Sequence, residues 1–492
     1  MHNKPNTTYS GHELCSRTAY EVVQLLRQGD VSPGELVAAS SQRIEQIEPS
    51  VNAMPTRCLE RAQADAKHWH EQSKCHHNVG HLSGLPIAIK DLNAVKGVRS
   101  TWGSIGLKDY IPEYSDYVVE RLEQRGGIVM GKTNSPEMGA GGNTFNEVFG
   151  RTRNPWNTHK NAGGSSGGAA VSLATGEVWL SHGSDLAGSL RTPAAYCGVV
   201  GFRASPGVVP SGPSSISFQT EAVSGPMARN VLDCALFLDA MAGIEPRAPV
   251  TWPLPTVAYQ KAVLEADEKV RIAYSRDWHG FTTTSNDMDR ILRQALSQVE
   301  AQGGTVDEAC PELPGLDHAY RVYRSMLWAS GPGRAPEAVQ KHFKPTLLGN
   351  IEYGRNLNID DVYDANINRA ILYANMQQFL TTYDVLACPV VGLHPGPVEE
   401  EYPSHIDGQP LGDYIEWLKF SYLSTITGLP SVSVPVGFTD DGMPVGIQLI
   451  GPPHGEARLL AVARAVEQAV GGPLSPIDPV SPANPLASKQ TN

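Results

Sequence analysis

At 492 residues the chain exceeds the usual single-domain length, so two domains or one large α/β domain are both open. An apolar content of 41% and a charged content of 18% describe an ordinary globular protein with ample core. A net charge of −12 with no long run of Lys or Arg argues against nucleic acid or an anionic membrane surface as a partner.

Seven cysteines, at 15, 58, 75, 197, 234, 310 and 388, are scattered and odd in number, without a Cys-x-x-Cys. Neither a disulfide framework nor a zinc ribbon is indicated. The start, MHNKPNTTYSGHEL, lacks an apolar signal region, and nowhere do 18 apolar residues run together. The expectation is a reduced, cytoplasmic protein that does not enter a membrane.

The helical period places apolar residues of 17–47 on two helices, with Ser32-Pro33-Gly34-Glu35 as the N-cap of the second. A third helix is predicted over Thr56–Glu71. Five histidines fall between His68 and His81, without a ligand spacing or carboxylate partner, and read as a solvated loop. Leu85–Asp91 is an apolar run ending in charge, as in a strand buried on both faces. Tyr117–Gln124 reads as a helix, Gly127–Gly131 as a strand, Gly167–Thr175 as a helix and Val178–His182 as a strand. Further helices are predicted at Val231–Met241, 286–302, 335–343, 360–380 and Glu456–Val470. Strands are predicted at Arg271–Ser275, Tyr383–Pro389, Pro430–Gly437 and Val445–Gly451, the last two joined as a hairpin by Asp440-Asp-Gly-Met-Pro444. The alternation argues for an α/β sheet, and the absence of a clean linker favours one large domain. The Pro-rich tail, 471–492, reads as loosely ordered.

Between Gly126 and Gly212 there are 18 glycines in 87 residues, where the chain average (48 of 492) would give about 8.5. Glycine weakens regular elements, so the excess implies backbone bent where side chains would block it. Gly126-Gly-Ile-Val-Met-Gly-Lys132-Thr133 formally matches a phosphate loop, but a helix precedes it and Gly-Ile-Val-Met is itself strand-like. Gly164-Ser-Ser166-Gly-Gly168 formally matches a nucleophile elbow at Ser166, but polar Thr158–Ala162 cannot supply the buried strand that this turn needs.

A third reading joins Lys90, Ser165 and Ser189. With Lys90 closing an apolar strand, Gly163-Gly-Ser-Ser-Gly-Gly168, and Ser189 24 residues after Ser165, the chain resembles the amidase signature family of serine hydrolases. Lys132-Thr-Asn-Ser-Pro-Glu137, Asn154-Pro-Trp156, Pro193-Ala-Ala-Tyr-Cys-Gly198, Gly225-Pro-Met-Ala-Arg229, Thr427-Gly-Leu-Pro-Ser431 and Gly442-Met-Pro-Val-Gly446 extend the likeness from about residue 18 to 470. The resemblance implies an α/β fold of one large domain: a central mixed, twisted β-sheet covered by helices, with a catalytic core over about 80–245. An N-terminal arm (1–17) would precede it, and a variable substrate-pocket region (about 246–420) would follow.

It also implies roles. Ser189 attacks an amide carbonyl and becomes acylated; Ser165, on a cis peptide, relays a proton; Lys90 is the base. Such a lysine must be neutral, against an ordinary pKa of about 10.4, a shift within reach of burial. Backbone N–H groups of Leu186, Ala187 and Gly188 would form the oxyanion hole. Asp185 and Arg191 would brace the loop by pairing, with Ser166 in support. Two departures stand out. Asp185-Leu-Ala-Gly-Ser189 has Ala187 where the family has Gly, implying either strain at positive φ, about 1 kcal/mol, or a negative φ with the methyl group narrowing the pocket. Asn161-Ala162 stands where a Pro commonly precedes the Gly pair. Cys197 beside the site reads as a small packing hydrophobe.

The pocket would be completed by Asn134–Thr144, His318–Tyr353 and Val398–Trp417, with Asn143, Tyr320, Tyr323, Trp328, Tyr414 and Trp417 as candidate walls or, equally, core. Such a lining favours a small aryl or alkyl amide. A stand-alone carboxamide hydrolase is the leading reading. The alternative is the glutamine-hydrolysing subunit of a tRNA-dependent amidotransferase, which depends on a partner protein. No metal or organic cofactor is implied, and a homodimer is possible in the family.

Overall fold

Thr18 and Ser32 each close a capping box, their hydroxyls accepting from the N–H groups of Glu21 and Glu35 while those carboxylates return to the cap. They start α1 (Ala19–Gln28) and α2 (Pro33–Val51). This computed structural model describes residues 4–72, 78–267 and 269–482; His76, His77 and Cys75 lie outside them. α3 begins at Leu59 rather than Thr56 and runs to Gln72, because Thr56–Arg57 is instead an edge strand, β1. Of the other histidines in that stretch, His68 and His70 belong to α3, and His81 is buried with its ring edge-on to Trp69.

The chain continues with β2 (Leu85–Lys90), α4 (Tyr117–Gln124), β3 (Gly127–Thr133), α5 (Gly167–Ala174), β4 (Leu180–Asp185), α6 (Arg191–Cys197), β5 (Val200–Arg203), β6 (Val223–Ala228) and α7 (Val231–Met241). Then come β7 (Arg271–Tyr274), α8 (Asn286–Ala301), β8 (Thr305–Glu308), α9 (Leu316–Ser330), α10 (Pro345–Arg355), α11 (Ile359–Phe379), β9 (Val385–Pro389), β10 (Ser431–Phe438), β11 (Pro444–Ile450) and α12 (Glu456–Ala469). The helix predicted at 335–343 shrinks to Glu337–Gln340.

Eleven strands form one mixed sheet in the order β1-β3-β2-β4-β6-β5-β10-β11-β9-β7-β8, and the chain folds as a single domain around it. β3, β2 and β4 are parallel neighbours, as are β9, β7 and β8. The middle of the sheet is antiparallel, and β10 and β11 form the expected hairpin from Ser431↔Ile450 to Phe438↔Pro444. Every residue of β2, β3, β6, β9, β10 and β11 is buried, as expected of strands covered on both faces.

The Pro-rich tail is not loose where it is described. Ile477 is buried, its N–H donates to the Ala174 carbonyl at 2.9 Å, and Arg43 donates to Asp478 at 2.8 Å. No described helix is long and apolar enough to cross a membrane.

Candidate active site

β2 and β4 are adjacent and parallel, with Ile87 beside Leu180, so their C-terminal residues, Lys90 and Asp185, end at the same edge of the sheet. Strand ends of this kind are where α/β proteins place ligands. The loop carrying Ser165 and Ser166 enters α5 beside them, through a cis Gly164–Ser165 peptide. Glycine is needed here. A Cβ on Gly168 would lie 2.4 Å from the Ala53 carbonyl oxygen and the Asn134 nitrogen, so only glycine lets α5 approach.

Lys90 is surrounded by oxygen atoms that carry no charge. Its Nζ bonds Ser165 Oγ at 2.7 Å, Ser166 Oγ at 2.8 Å, Ser184 Oγ at 3.1 Å and the Ser184 carbonyl at 3.5 Å. Burial, opposed only in part by the more distant charge of Asp185, pushes its pKa down to about 7. Exposure then rises stepwise: Lys90 0%, Ser165 2%, Ser189 7%. Both serines line a cavity of about 310 Å³, and Lys90 does not. The arrangement can move a proton from the cavity wall to a buried amine through Ser165.

Neither competing motif survives. Lys132 and Thr133 are buried within β3, and Lys132 donates to Asp91 at 2.9 Å. Ser166 is fully buried, donates to the Ser184 carbonyl at 3.2 Å and is absent from the cavity wall. A strand does precede it, Asn157–Asn161, but it pairs with Arg153–Asn154 in a small hairpin and bridges to Pro397, outside the central sheet.

Asp185 is clasped by two buried arginines. Arg191 donates Nη2 to Oδ1 at 2.8 Å and Nε to Oδ2 at 3.0 Å; Arg203 donates to the Asp185 carbonyl at 2.6 Å. Burial pushes the carboxyl up, but the two guanidiniums and the Leu190 N–H outweigh it and hold the group well below the usual carboxylate range. The clasp fixes the loop that ends in Ser189. Ala187 is absent from the positive-φ residues, so it carries no left-handed strain, and it lines the cavity. Gly188, at φ +82°, gives its N–H to Asp185 Oδ1 at 3.1 Å, so this expected oxyanion donor is already committed. The N–H groups of Leu186, Ala187 and Ser189 have no acceptor among the described residues. Burial pushes the Cys197 thiol well up, and its Sγ faces the Ala162 carbonyl, as packing requires.

Of the candidate pocket residues, Trp328 lines the cavity, with Leu327 beside it. Tyr323 does not. One residue before Arg324, it is turned about 100° away on α9, and its hydroxyl donates to Asn366 on α11 at 2.6 Å. Asn143 donates to the Val398 and Glu400 carbonyls, and Trp417 lies with it on a separate small cavity while its neighbour Leu418 reaches the main one. Tyr320 is buried in a stack on Tyr422, ring centroids 3.5 Å apart, and Tyr414 is buried on a neighbouring cavity. Trp102, Met138 and Ile216 complete the apolar wall.

Trp102 and Ile216 lie outside the predicted pocket segments, and three polar or charged residues also escaped the sequence reading: Ser184, Arg203 and Arg324. Arg203 closes the apolar Val199–Phe202 run as Lys90 closes Leu85–Ile89, a usable signal. Ser184 carried a weaker one, in the polar His182–Asp185 end of a buried strand. Arg324 carried none.

Comparison with known proteins places the chain in a family. The family model described as amidase matches residues 35–460. The chain is 32% identical over 464 residues to an acylamidase of Rhodococcus erythropolis, covering 92% of this chain and 94% of that protein. It is 33% identical over 489 residues to a glutamyl-tRNA(Gln) amidotransferase subunit of Moorella thermoacetica, covering 93% and 97%. The fold matches the crystal structure of a bacterial aryl acylamidase of the amidase signature enzymes with a TM-score of 0.85 and 27% identity, over 93% of this chain and 99% of that one.

Proposed function

The chain belongs to the amidase family, hydrolases acting on carbon–nitrogen bonds, and from that premise we propose that it hydrolyses a small carboxamide through an acyl-enzyme on Ser189. Ser165 is the proton relay and Lys90 the base. The observation that carries this reading is the 2.7 Å bond between Lys90 Nζ and Ser165 Oγ, made by a lysine whose close partners are all uncharged.

Near neutral pH about half of Lys90 is unprotonated, because its pKa is about 7. A neutral amine can accept the Ser165 proton as Ser165 takes that of Ser189, and the Ser189 oxygen forms a bond to the amide carbon. The N–H groups of Leu186, Ala187 and Ser189, which line the cavity without an acceptor among the described residues, would receive the oxyanion in this reading; each such donor is worth about 3–4 kcal/mol. The proton then returns from Lys90 through Ser165 to the leaving nitrogen, the C–N bond breaks, and the amine departs. Water, giving a proton by the same route, attacks the ester carbon and releases the acid and Ser189. Asp185 and Arg191 position the loop and touch no reacting atom.

The cavity of about 310 Å³ is at the lower end of ligand-pocket sizes, which suits a small substrate. Ammonia release from primary amides by the purified chain, without a partner protein, tests the reading. Ser189→Ala should lower that release by at least about a hundredfold while leaving the circular-dichroism spectrum unchanged. More than about 1% residual activity would remove Ser189 from the nucleophile role. Hydrolysis confined to glutamine and dependent on an added partner would favour the amidotransferase reading instead.

A further inference from the structure

The cavity wall holds one charge that the proposed chemistry does not use. Arg324 on α9 is 3% exposed and lines the cavity together with Ser189. A buried guanidinium ordinarily has a carboxylate partner. Here the carboxylates of this region go elsewhere. Asp317 at 2.7 Å, Asp413 at 2.5 Å and Glu416 at 3.6 Å all pair with Arg321, one turn back on the same helix. Arg324 has no carboxylate at ion-pair distance among the described residues. Its Nε donates to Asn350 Oδ1 at 3.1 Å, Nη1 to the Tyr320 hydroxyl at 3.5 Å and Nη2 to the Tyr414 hydroxyl, all neutral acceptors. The rings of Trp328 and Tyr414 lie 5.4 and 5.5 Å from its guanidinium carbon.

A guanidinium has five N–H groups, two on each terminal nitrogen. The three acceptors leave one N–H on each terminal nitrogen, the pair that a carboxylate takes in a bidentate contact. Arg191 and Arg203, which do not line the cavity, already share Asp185. We infer that Arg324 anchors a carboxylate on the substrate, so that the enzyme acts on short amides that carry a free acid at the end remote from the scissile bond. This rests on the amidase reading and narrows its substrate class. It also separates such acid amides from glutamine. Glutamine adds an ammonium group, and the one acidic residue among the described residues lining the cavity, Asp185, is held by two arginines.

The test measures ammonia release by the full chain from two matched series. One holds the monoamides of straight-chain dicarboxylic acids; the other holds neutral alkyl amides of the same chain lengths. For the best chain length, kcat/KM should favour the acid amide by on the order of a hundredfold, and glutamine should be poorer than glutaric acid monoamide. In Arg324→Leu the acid-to-neutral ratio should fall to near one, mainly through KM, and Arg324→Lys should restore part of it. A wild-type ratio of one or below overturns the inference without any variant having to fold. So does a ratio unchanged in Arg324→Leu, a preference for glutamine over the monoamide, or cleavage of aryl amides with neither series accepted. Release from no amide of any class would instead overturn the amidase reading itself.

Discussion

Two buried lysines stand at the ends of neighbouring parallel strands, and they have opposite surroundings. The register sets Lys90 of β2 beside Thr133 and Lys132 of β3 beside Ile89, so alternation sends the two side chains to opposite faces of the sheet. Lys132 meets a carboxylate, Asp91 at 2.9 Å, and the Ser100 hydroxyl at 2.8 Å. Asp91 is itself held by the Thr101 hydroxyl at 2.6 Å. Lys90 meets three hydroxyls and a carbonyl. Both are fully buried, so burial alone does not separate them. The partner does. A carboxylate stabilises the ammonium and makes the pair a brace between strands, whereas hydroxyls leave a lysine that gives up its proton near neutrality. One sheet edge thus holds a structural cation and a candidate base.

The largest way to break this contrast is to remove the base. Lys90→Ala should lower kcat/KM for amide hydrolysis by about a thousandfold or more, the upper range for a general base. Its folded stability should not fall by the amount expected for a broken ion pair, because no ion pair is lost. Ammonia-release kinetics beside thermal denaturation read both, and more than a tenth of the activity surviving would remove Lys90 from the base role. Lys132→Met should show the reverse pattern. It strands Asp91 as a buried carboxylate without its cation, at a cost of about 3–5 kcal/mol of stability. The folded fraction should keep its pH–activity profile. An unchanged denaturation midpoint would show that the Asp91 pair is not a brace.

The difference between these lysines was half legible in the sequence. Lys90 and Lys132 both close short apolar runs, and only the family resemblance singled out the first. The strands and helices with strong periodicity appear where expected, β2, α4 and α7 among them. β5 and β6 were missed: a run of four residues, and one containing Gly225 and Pro226, lack the β-branched alternation that marks a strand. They are strands because the sheet on either side supplies partners. Arg324 was illegible for a related reason. In Ala-Tyr-Arg-Val-Tyr-Arg it looks like an ordinary surface arginine. Its burial comes from Asn350 on α10 and Tyr414 in a later loop, contacts that no local pattern encodes. Tyr323 and Trp417 failed in the opposite sense, as aromatics in the expected segments that the helical turn directs elsewhere.

The finest test of the contrast changes only the hydroxyl cage. With the Lys90 pKa at about 7, the acid limb of kcat/KM should have its midpoint near pH 7, activity falling below it as the amine takes a proton. Ser184→Ala removes one acceptor, at 3.1 Å, from Lys90. That hydroxyl can bond either protonation state, but a bond to the ammonium is charge-assisted and roughly twice as strong as one to the neutral amine. Its loss therefore costs the charged form more, and the pKa falls further. A net difference of about 1 kcal/mol corresponds to roughly 0.7 of a pH unit. The limb should move to lower pH by about that much, so the fraction of the maximal rate retained at pH 6 should rise, while the plateau rate changes only a few-fold. Replacing Ser100, the hydroxyl beside Lys132, should leave the limb where it is, because its lysine is committed to Asp91. A limb that shifts equally in both variants, or moves toward higher pH in Ser184→Ala, would mean that the hydroxyls around Lys90 do not set its proton affinity.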